Sequence, residues 1–195
     1  MTKRILIIQG HPDASQPHLC HVLEQSYVRG AEAAGHEIKR VNVALLDFPL
    51  LRSQQEWEKG ALPDSLIGAQ QAIKWAEHLL FFFPLWMGDM PALLKGFLEQ
   101  VARPGFAFAA EGNNPFALKA LKGRSAHVVV TMGMPAMLYR WYFMAHSIRS
   151  LERNILGFVG IKPVKETMIG MVGNMDAAAI RQWQDKLEHF GKKGD

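Results

Sequence analysis

Apolar and polar positions fall in blocks that predict strands and helices in turn. The most apolar block, residues 78–83 (HLLFFF), is too short for a membrane span and has no polar face, which predicts a strand covered on both sides. Pro84 ends this block, and after a short loop Pro91 opens a helix as a favoured first-turn residue. That helix presents one apolar face at helical spacing, made of Leu93, Leu94, Phe97, Leu98 and Val101.

Four other blocks carry strand patterns. Residues 3–9 (KRILIIQ) are apolar and residues 126–131 (AHVVVT) are rich in β-branched side chains, so both predict buried strands. Residues 36–43 (HEIKRVNV) alternate between apolar and polar, as expected for a strand nearer an edge. Residues 162–169 (KPVKETMI) form a weaker candidate for a fifth strand.

Helical patterns fill the intervals between these strands. The first predicted helix runs from Leu19 to about Gly35, and the second follows Asp64, which looks like an N-cap. Residues 136–156 read as one long aromatic helix, and Asp176 caps the last helix. Residues 47–63 read as a long polar loop.

The alternation of strands and helices predicts an α/β fold with a parallel sheet and helices on both faces. Five strands favour the flavodoxin-like order 2-1-3-4-5, a three-layer sandwich, as a single domain over residues 1–195 because no linker, repeat or charge block divides the chain. In such sheets ligands bind at the carboxyl ends of the strands where the strand order reverses. The loops 9–18, 84–90 and 131–134 are therefore expected to line one crevice.

Composition and charge limit the cellular compartment and the kinds of binding partner that we expect. The single cysteine, Cys20, excludes an internal disulfide and fits a reducing compartment. No apolar run is long enough for a signal peptide or a bilayer span, so we expect a soluble cytoplasmic protein without membrane insertion. The net charge of +4 is spread evenly, and no basic stripe with aromatic residues predicts nucleic-acid binding.

The first loop carries candidate ligands for an anion. It leads into a helix, whose first backbone N–H groups attract phosphate, and His11, Ser15 and His18 add side-chain donors. The alternative interpretation is ordinary turn chemistry followed by a helix cap.

The other two loops carry candidates for a flat ring. Trp86 and Met87 are suited to wall such a ring, and Gly88 and Gly133 allow the backbone to approach it closely. The alternative is that Trp86 and Met87 fill the core and that the glycines only form turns.

Several motifs are missing. No GxGxxG follows the first strand, and neither a GxxxxGK[ST] nor a GxSxG motif occurs, which disfavours a common dinucleotide-binding domain, a P-loop nucleotidase and an α/β-hydrolase. His18 and His21 share a helix face, but no further ligand completes a metal set, so no metal site is expected. Cys20 lies in an apolar helix and is expected to be inert.

The loops taken together resemble the NAD(P)H:quinone oxidoreductase family of flavodoxin-like flavoproteins. The resemblance covers most of the chain, and its most specific part is the spacing of the two prolines around the second loop. The similar segments are Gly10-His11-Pro12, Phe83-Pro84-Leu85, Pro91 to Phe97, Gly105-Phe106-Ala107-Phe108 and Leu121-Lys122-Gly123.

The resemblance implies a non-covalent flavin, FMN or FAD, with NAD(P)H as co-substrate. It places the flavin phosphate near His11, Ser15, Pro17 and His18. It places the isoalloxazine ring against Pro84, Leu85, Trp86, Met87, Gly88, Thr131, Met132 and Gly133. It also implies that Tyr139 and His146 are catalytic residues that hydrogen-bond the reduced flavin.

The implied activity is two-electron hydride transfer from the nicotinamide, through the flavin, to a quinone or similar flat acceptor. The resemblance further implies a homodimer with the active site at its interface. Two departures from the family pattern, the early position of Trp86 and the sequence Thr131-Met132-Gly133-Met134, indicate a different acceptor pocket. The alternatives are an ancillary regulatory subunit of a potassium efflux transporter and a flavodoxin-type electron carrier, which is usually acidic whereas this chain is basic.

Overall fold

A parallel five-stranded sheet forms the centre of the molecule. The computed structural model describes residues 1–107 and 119–195. The strand order is β2-β1-β3-β4-β5, and all four neighbouring pairs are parallel. The strands are β1 (Arg4–Gln9), β2 (Glu37–Asn42), β3 (His78–Pro84), β4 (Ser125–Thr131) and β5 (Val164–Ile169). The predicted fold class and strand order are confirmed.

Helices cover both faces of the sheet. They are α1 (Leu19–Ala33), α2 (Gln54–Lys59), α3 (Asp64–Trp75), α4 (Ala92–Val101), α5 (Ala136–Trp141), α6 (His146–Ser150), α7 (Gly157–Val159) and α8 (Ala177–Lys193). A π-helix (Leu151–Leu156) joins α6 to α7, and short 3₁₀ turns occupy Val43–Leu45 and Val172–Asn174.

Alternate side chains of each strand enter different cores, as the strand pleat requires. Leu80 and Phe82 of β3 pack in the core beneath α1 and α8. Phe81 and Phe83 pack in the larger core beneath α3, α4 and the segment 136–161. The fully apolar β3 is therefore buried on both faces, as its sequence predicted.

The predicted helix over residues 136–156 is wrong as a single element. Met144 and Ala145 adopt left-handed conformations, with φ of 55° and 48°, and separate α5 from α6. A left-handed residue cannot continue a right-handed helix, so the chain changes direction there. The turn brings the amino end of α6 back to the carboxyl edge of the sheet.

Three smaller expectations also need correction. The polar loop 47–63 contains α2, whose N-cap Ser53 accepts the Glu56 N–H at 3.1 Å. Pro63 rather than Asp64 occupies the N-cap of α3, and Pro91 is the N-cap of α4 rather than a first-turn residue. Each proline lies one position outside the helix, where its ring-fixed φ combines with an extended ψ of 137° at Pro63 and 140° at Pro91, as an N-cap requires.

Two further points concern the sequence-based expectations. Phe108, the last residue of one segment that resembles the family, lies outside the described residues. Within the residues that are described, none of the helices has both the length and the apolar character needed to cross a membrane.

Candidate functional site

The three predicted loops meet at the carboxyl edge of the sheet. The Gly10 N–H donates to the Phe82 carbonyl at 2.7 Å, which fixes the first loop to β3. The Leu85 N–H donates to the Thr131 carbonyl at 2.7 Å, which fixes the second loop to β4. Across the first and second loops the ring centroids of His11 and Trp86 are 6.0 Å apart.

The first loop holds a compact group of histidines. The rings of His11 and His18 stack with their centroids 3.9 Å apart, and the His21 centroid is 5.3 Å from that of His11. His11 Nδ1 lies 3.1 Å from both the N–H and the carbonyl oxygen of Asp13, so the Asp13 backbone can serve either tautomer of the ring. Pro17 is exposed and lies just before His18, the N-cap of α1. It adds no hydrogen-bond donor, since proline has no N–H.

The Asp13 carboxylate lies in the middle of the predicted anion ligands. The Ser15 N–H and hydroxyl both donate to Asp13 Oδ1, at 2.8 and 2.5 Å, and His18 Nε2 is 2.7 Å from Asp13 Oδ2. The Ser15 hydroxyl most strongly, and then His18, hold the pKa of Asp13 below its usual range. Two of the three donors expected for a phosphate, Ser15 and His18, therefore converge on a single anionic group of the chain itself.

The rings of His11 and His21 lie in surroundings that disfavour their charged form. Burial is the main cause that lowers the pKa of His11, and the neighbouring His18 and His21 lower it further. Burial also lowers the pKa of His21, while the Glu24 carboxylate opposes this shift. Near neutral pH these two rings are neutral hydrogen-bonding groups, and an arriving phosphate would favour their protonation.

The second loop is a two-residue hairpin. Trp86 and Asp89 exchange both backbone hydrogen bonds, at 2.8 and 2.9 Å, around Met87 and Gly88. Both turn residues have positive φ, 49° and 81°, which is the geometry of a type I′ turn. Trp86 is half exposed and Met87 projects fully into solvent, so neither is core filler, and Pro84 and Leu85 lie beneath them at the end of β3.

The third loop presents its backbone to the same edge. Thr131 and Met132 are buried, and the Thr131 hydroxyl is 3.2 Å from the Cys20 sulfur of α1. Gly133 is exposed and has open space where a Cβ would stand. Of the three residues, only Gly133 offers an accessible backbone surface to a ligand.

Tyr139 and His146 lie close together but in different surroundings. Their ring centroids are 6.0 Å apart; Tyr139 is fully buried, whereas His146 is exposed. Burial raises the pKa of Tyr139, although the amides of Ser147 and Ile148 oppose that shift; its hydroxyl makes no well-formed hydrogen bond to any described residue. His146 lies at the rim of the crevice, where a Cβ on Gly88 would be 3.7 Å from its ring.

A carboxylate that the sequence analysis did not single out ties the hairpin to α6. Asp89 Oδ1 accepts the Met90 N–H at 2.7 Å and also accepts the Ser147 hydroxyl. This link holds His146 beside Gly88, so the second loop and α6 form one continuous rim. An open cavity of about 450 Å³ lies beside it, bounded by Trp86, Met90, Lys95 and Ile155 among others.

Comparison with known proteins places this geometry in a family. A family model described as flavodoxin-like fold matches residues 3–190. The chain belongs to this family. An uncharacterized NAD(P)H oxidoreductase of Haemophilus influenzae is 25% identical over 181 residues, covering 89% of this chain and 87% of the relative.

Two other similar proteins are informative. An FMN-dependent NADH:quinone oxidoreductase of Hahella chejuensis is 33% identical over 114 residues, covering 58% of this chain and 51% of the relative. The solved NAD(P)H:quinone oxidoreductase of Methanothermobacter marburgensis has a TM-score of 0.81 at 22% identity, covering 99% of this chain and 97% of that one. The predicted family is confirmed, and the names of these relatives agree with the expectation of an enzyme.

Coverage limits what the relatives imply. This flavodoxin-like chain spans 49% to 57% of the length of several curated relatives that it matches. Their activities are therefore carried over below as proposals.

The residues of this flavodoxin-like crevice are of the kinds that would hold a flavin phosphate and a flat ring. The donor set of Ser15 and His18 already surrounds one anion, Asp13, as it would surround a phosphate. Trp86 offers a half-exposed aromatic face, and Gly133 offers open backbone beside it. No group of three or more His, Cys, Asp or Glu side chains suited to a metal occurs among the described residues.

Sequence reasoning missed Asp13, Asp89 and the buried Glu24. Asp13 and Asp89 stand inside the quoted loops, but only their contacts show what they bind. Glu24 had a detectable signal, because it is an acidic residue beside the apolar positions Leu23 and Tyr27 of α1. A charged residue on a buried helix face must be paired with an opposite charge or hydrogen-bonded.

Proposed function

We propose that this protein is a flavin-dependent NAD(P)H oxidoreductase that reduces a quinone or a similar flat acceptor by two electrons. The observation that carries the proposal is the convergence of the His11 loop, the Trp86 hairpin and Gly133 on one edge of the sheet. The membership of the chain in the flavodoxin-like family supports it, as do the names of the curated relatives.

The flavin, when bound, supplies hydride transfer between the nicotinamide and the acceptor. The Ser15 N–H and hydroxyl and the Nε2 atoms of His11 and His18 would bind its phosphate, with α1 behind them. We propose FMN as the first candidate because a relative is named as FMN-dependent, with FAD as the second.

The ring is proposed to lie against the second and third loops. The backbone of Pro84 to Gly88 would flank one edge, and that of Thr131 to Gly133 the other. The Trp86 ring and the Met87 side chain would bound the acceptor side and exclude water from it. Because Met87 is flexible, this side can adapt to acceptors of different shape.

Tyr139 and His146 are the proposed catalytic residues. His146 Nδ1 is 3.1 Å from the Phe143 carbonyl, an atom that only accepts, so Nδ1 carries a proton and Nε2 is the open position. His146 Nε2 can therefore take up or hold a proton at the rim. Tyr139 is fully buried with its ring centroid 6.0 Å from that of His146, so its hydroxyl would stabilise negative charge on the reduced ring electrostatically and without direct contact.

We also propose a homodimer and a cytoplasmic location. A set of large apolar side chains is exposed on α5, on the turn after it and on the hairpin: Trp86, Met87, Met137, Leu138, Trp141, Tyr142, Phe143 and Met144. Contiguous exposed apolar surface of this kind marks an interface. A second copy seated there would close the acceptor side of the crevice.

Absorption spectra and turnover test the proposal. The purified protein, reconstituted with FMN or FAD, is expected to show flavin bands and to oxidise NADH or NADPH only when a quinone is present. Mass spectrometry of the released cofactor identifies the flavin. A colourless protein that takes up neither flavin would refute the proposal.

A further inference from the structure

A chain of buried polar groups reaches from β2 through α1 to the first loop. Arg40 of β2 contacts Glu24 Oε1 through Nε at 2.7 Å and through Nη2 at 2.6 Å. The Gln9 Nε2 group donates to Glu24 Oε2 at 2.7 Å, and Gln9 Oε1 accepts the His11 N–H at 3.1 Å. Gln9 and Glu24 are only 1% and 2% exposed.

The direction of this chain follows from the chemistry of its members. An ionised carboxylate only accepts hydrogen bonds, so Glu24 must face the NH₂ end of the Gln9 amide. The carbonyl end of the amide is thereby turned toward His11, whose N–H needs an acceptor. Without Glu24 only the His11 N–H would hold the Gln9 amide in this orientation.

Arg40 supplies the charge that a buried carboxylate requires. A carboxylate with such low exposure is costly to bury unless it is paired and fully hydrogen-bonded. Arg40 is itself half exposed, so the pair is stabilised from the solvent side. Hydrogen bonds therefore connect the protein surface to the proposed phosphate end of the crevice, through Arg40, Glu24, Gln9 and His11 in turn.

We propose that Glu24 is a positioning residue for the flavin-phosphate loop, acting through the Gln9 amide on the backbone of His11. The two carboxylate oxygens of Glu24 are already bound by Arg40 and Gln9, so its proposed effect on the flavin is indirect. Its effect is to fix the backbone from which the His11 ring, the Asp13 carboxylate and the Ser15 donors project. This inference rests on the proposed flavin site and deepens it.

Flavin affinity in variants of this network gives the first test. Binding of FMN, followed by quenching of its fluorescence, is expected to weaken about ten-fold in Glu24→Met and to a similar extent in Gln9→Met. Both substitutions act through the hydrogen bond between the Gln9 amide and the His11 N–H. The double variant should therefore bind FMN about as well as either single variant. Glu24→Gln, which retains an acceptor, should recover most of the affinity.

A matched control separates positioning from general stability. Glu77→Met removes a carboxylate that accepts the Arg4 N–H at 3.0 Å near the opposite edge of the sheet, and it should leave FMN affinity unchanged. Urea unfolding of every variant shows whether the affinity loss exceeds that expected from unfolded protein alone. Unchanged affinity in folded Glu24→Met and Glu24→Gln, or additive effects with Gln9→Met, would overturn the proposal.

A second readout does not depend on the flavin. In the protein without added flavin, the His11 amide is expected to exchange with solvent at least about ten-fold faster in Glu24→Met and Gln9→Met than in the unaltered chain. Its NMR shift should move the same way in both variants and not in Glu77→Met. If the unaltered protein binds no flavin, the proposed function fails, and the His11 amide still decides whether Glu24 positions the loop.

Discussion

At the residue scale, the Asp13 carboxylate has an unusual position for an anion-binding loop. It accepts hydrogen bonds from Ser15 and His18, the side chains that are proposed to bind phosphate. Two anions in the same place repel each other, so phosphate binding must displace the carboxylate or share its donors. Sequence inspection assigned three donors but gave no sign that Asp13 already accepts hydrogen bonds from two of them, Ser15 and His18.

Replacing this carboxylate should strengthen flavin binding. Asp13→Asn removes the negative charge while it retains an acceptor for the Ser15 N–H, and we expect FMN to bind about five-fold more tightly. Fluorescence titration at low and moderate salt measures the change. Asp64→Asn, an identical charge change on α3, serves as the control. Weaker binding of FMN by Asp13→Asn would show that the carboxylate maintains the loop instead of competing.

At the element scale, α1 and α8 pack so closely that glycine is required between them. A Cβ on Gly30 of α1 would lie 2.0 Å from the Glu188 carbonyl of α8, and one on Gly191 would lie 2.1 Å from the Tyr27 carbonyl. The amphipathic pattern of each helix predicted that it packs on the sheet. Nothing in either pattern predicted backbone contact between the two helices.

The two helices should separate when Gly30 gains a side chain. Gly30→Ala is expected to lower the free energy of unfolding by about 3 kcal/mol, because the clash is with backbone and cannot be relieved by a rotamer change. Gly68→Ala on the exposed face of α3, where a Cβ meets nothing within 4 Å, should raise it by about 1 kcal/mol. Urea unfolding compares the two; equal effects would contradict the close contact.

The break between α5 and α6 shows the same limit of sequence patterns. Residues 136–156 have helical spacing throughout, and no glycine or proline marks Met144 and Ala145 as left-handed. Tertiary packing overrides the local preference there. The result places His146 and Ser147 at the crevice, where Ser147 binds Asp89.

At the scale of the whole molecule, buried histidines make stability depend on pH. Burial is the main cause that lowers the pKa of His78 to about 3, with smaller effects of Lys3 and His127, and burial also lowers the pKa of His127. In the unfolded chain such rings titrate near 6.5. The unfolded state therefore binds more protons below pH 6.5, and stability is lost as the pH falls from there toward 3.

For His78 this loss is about 1.4 kcal/mol for each pH unit below 6.5. Between pH 7 and pH 5 we expect this ring to account for about 2 kcal/mol of the decrease, measured by urea unfolding. His78→Gln should reduce the pH dependence by that amount. An unchanged dependence in this variant would mean that His78 is not buried in its neutral form.

The exposed apolar surface around α5 also belongs to the scale of the whole molecule, because the proposed homodimer would cover it. Trp141→Glu is expected to convert the proposed homodimer to monomer, since it places a charge where Trp141 is 70% exposed in the single chain. Sedimentation measures the mass. Leu45→Glu, at an equally exposed position near β2, should leave the dimer intact. A monomeric unaltered protein would rule out the interface.

The sequence by itself determined the strand order, the two-sided burial of β3 and the crevice formed by three loops. The two-sided burial follows from local periodicity, whereas the strand order and the crevice follow from the preferred topology of parallel α/β sheets. Only the tertiary structure decided that the Asp13 carboxylate accepts hydrogen bonds from Ser15 and His18 and that Glu24 binds the Gln9 amide. It also decided that Tyr139 is buried while Trp141 is exposed. Each of these contacts depends on residues that folding brings together, and such contacts produce no periodic pattern in the sequence.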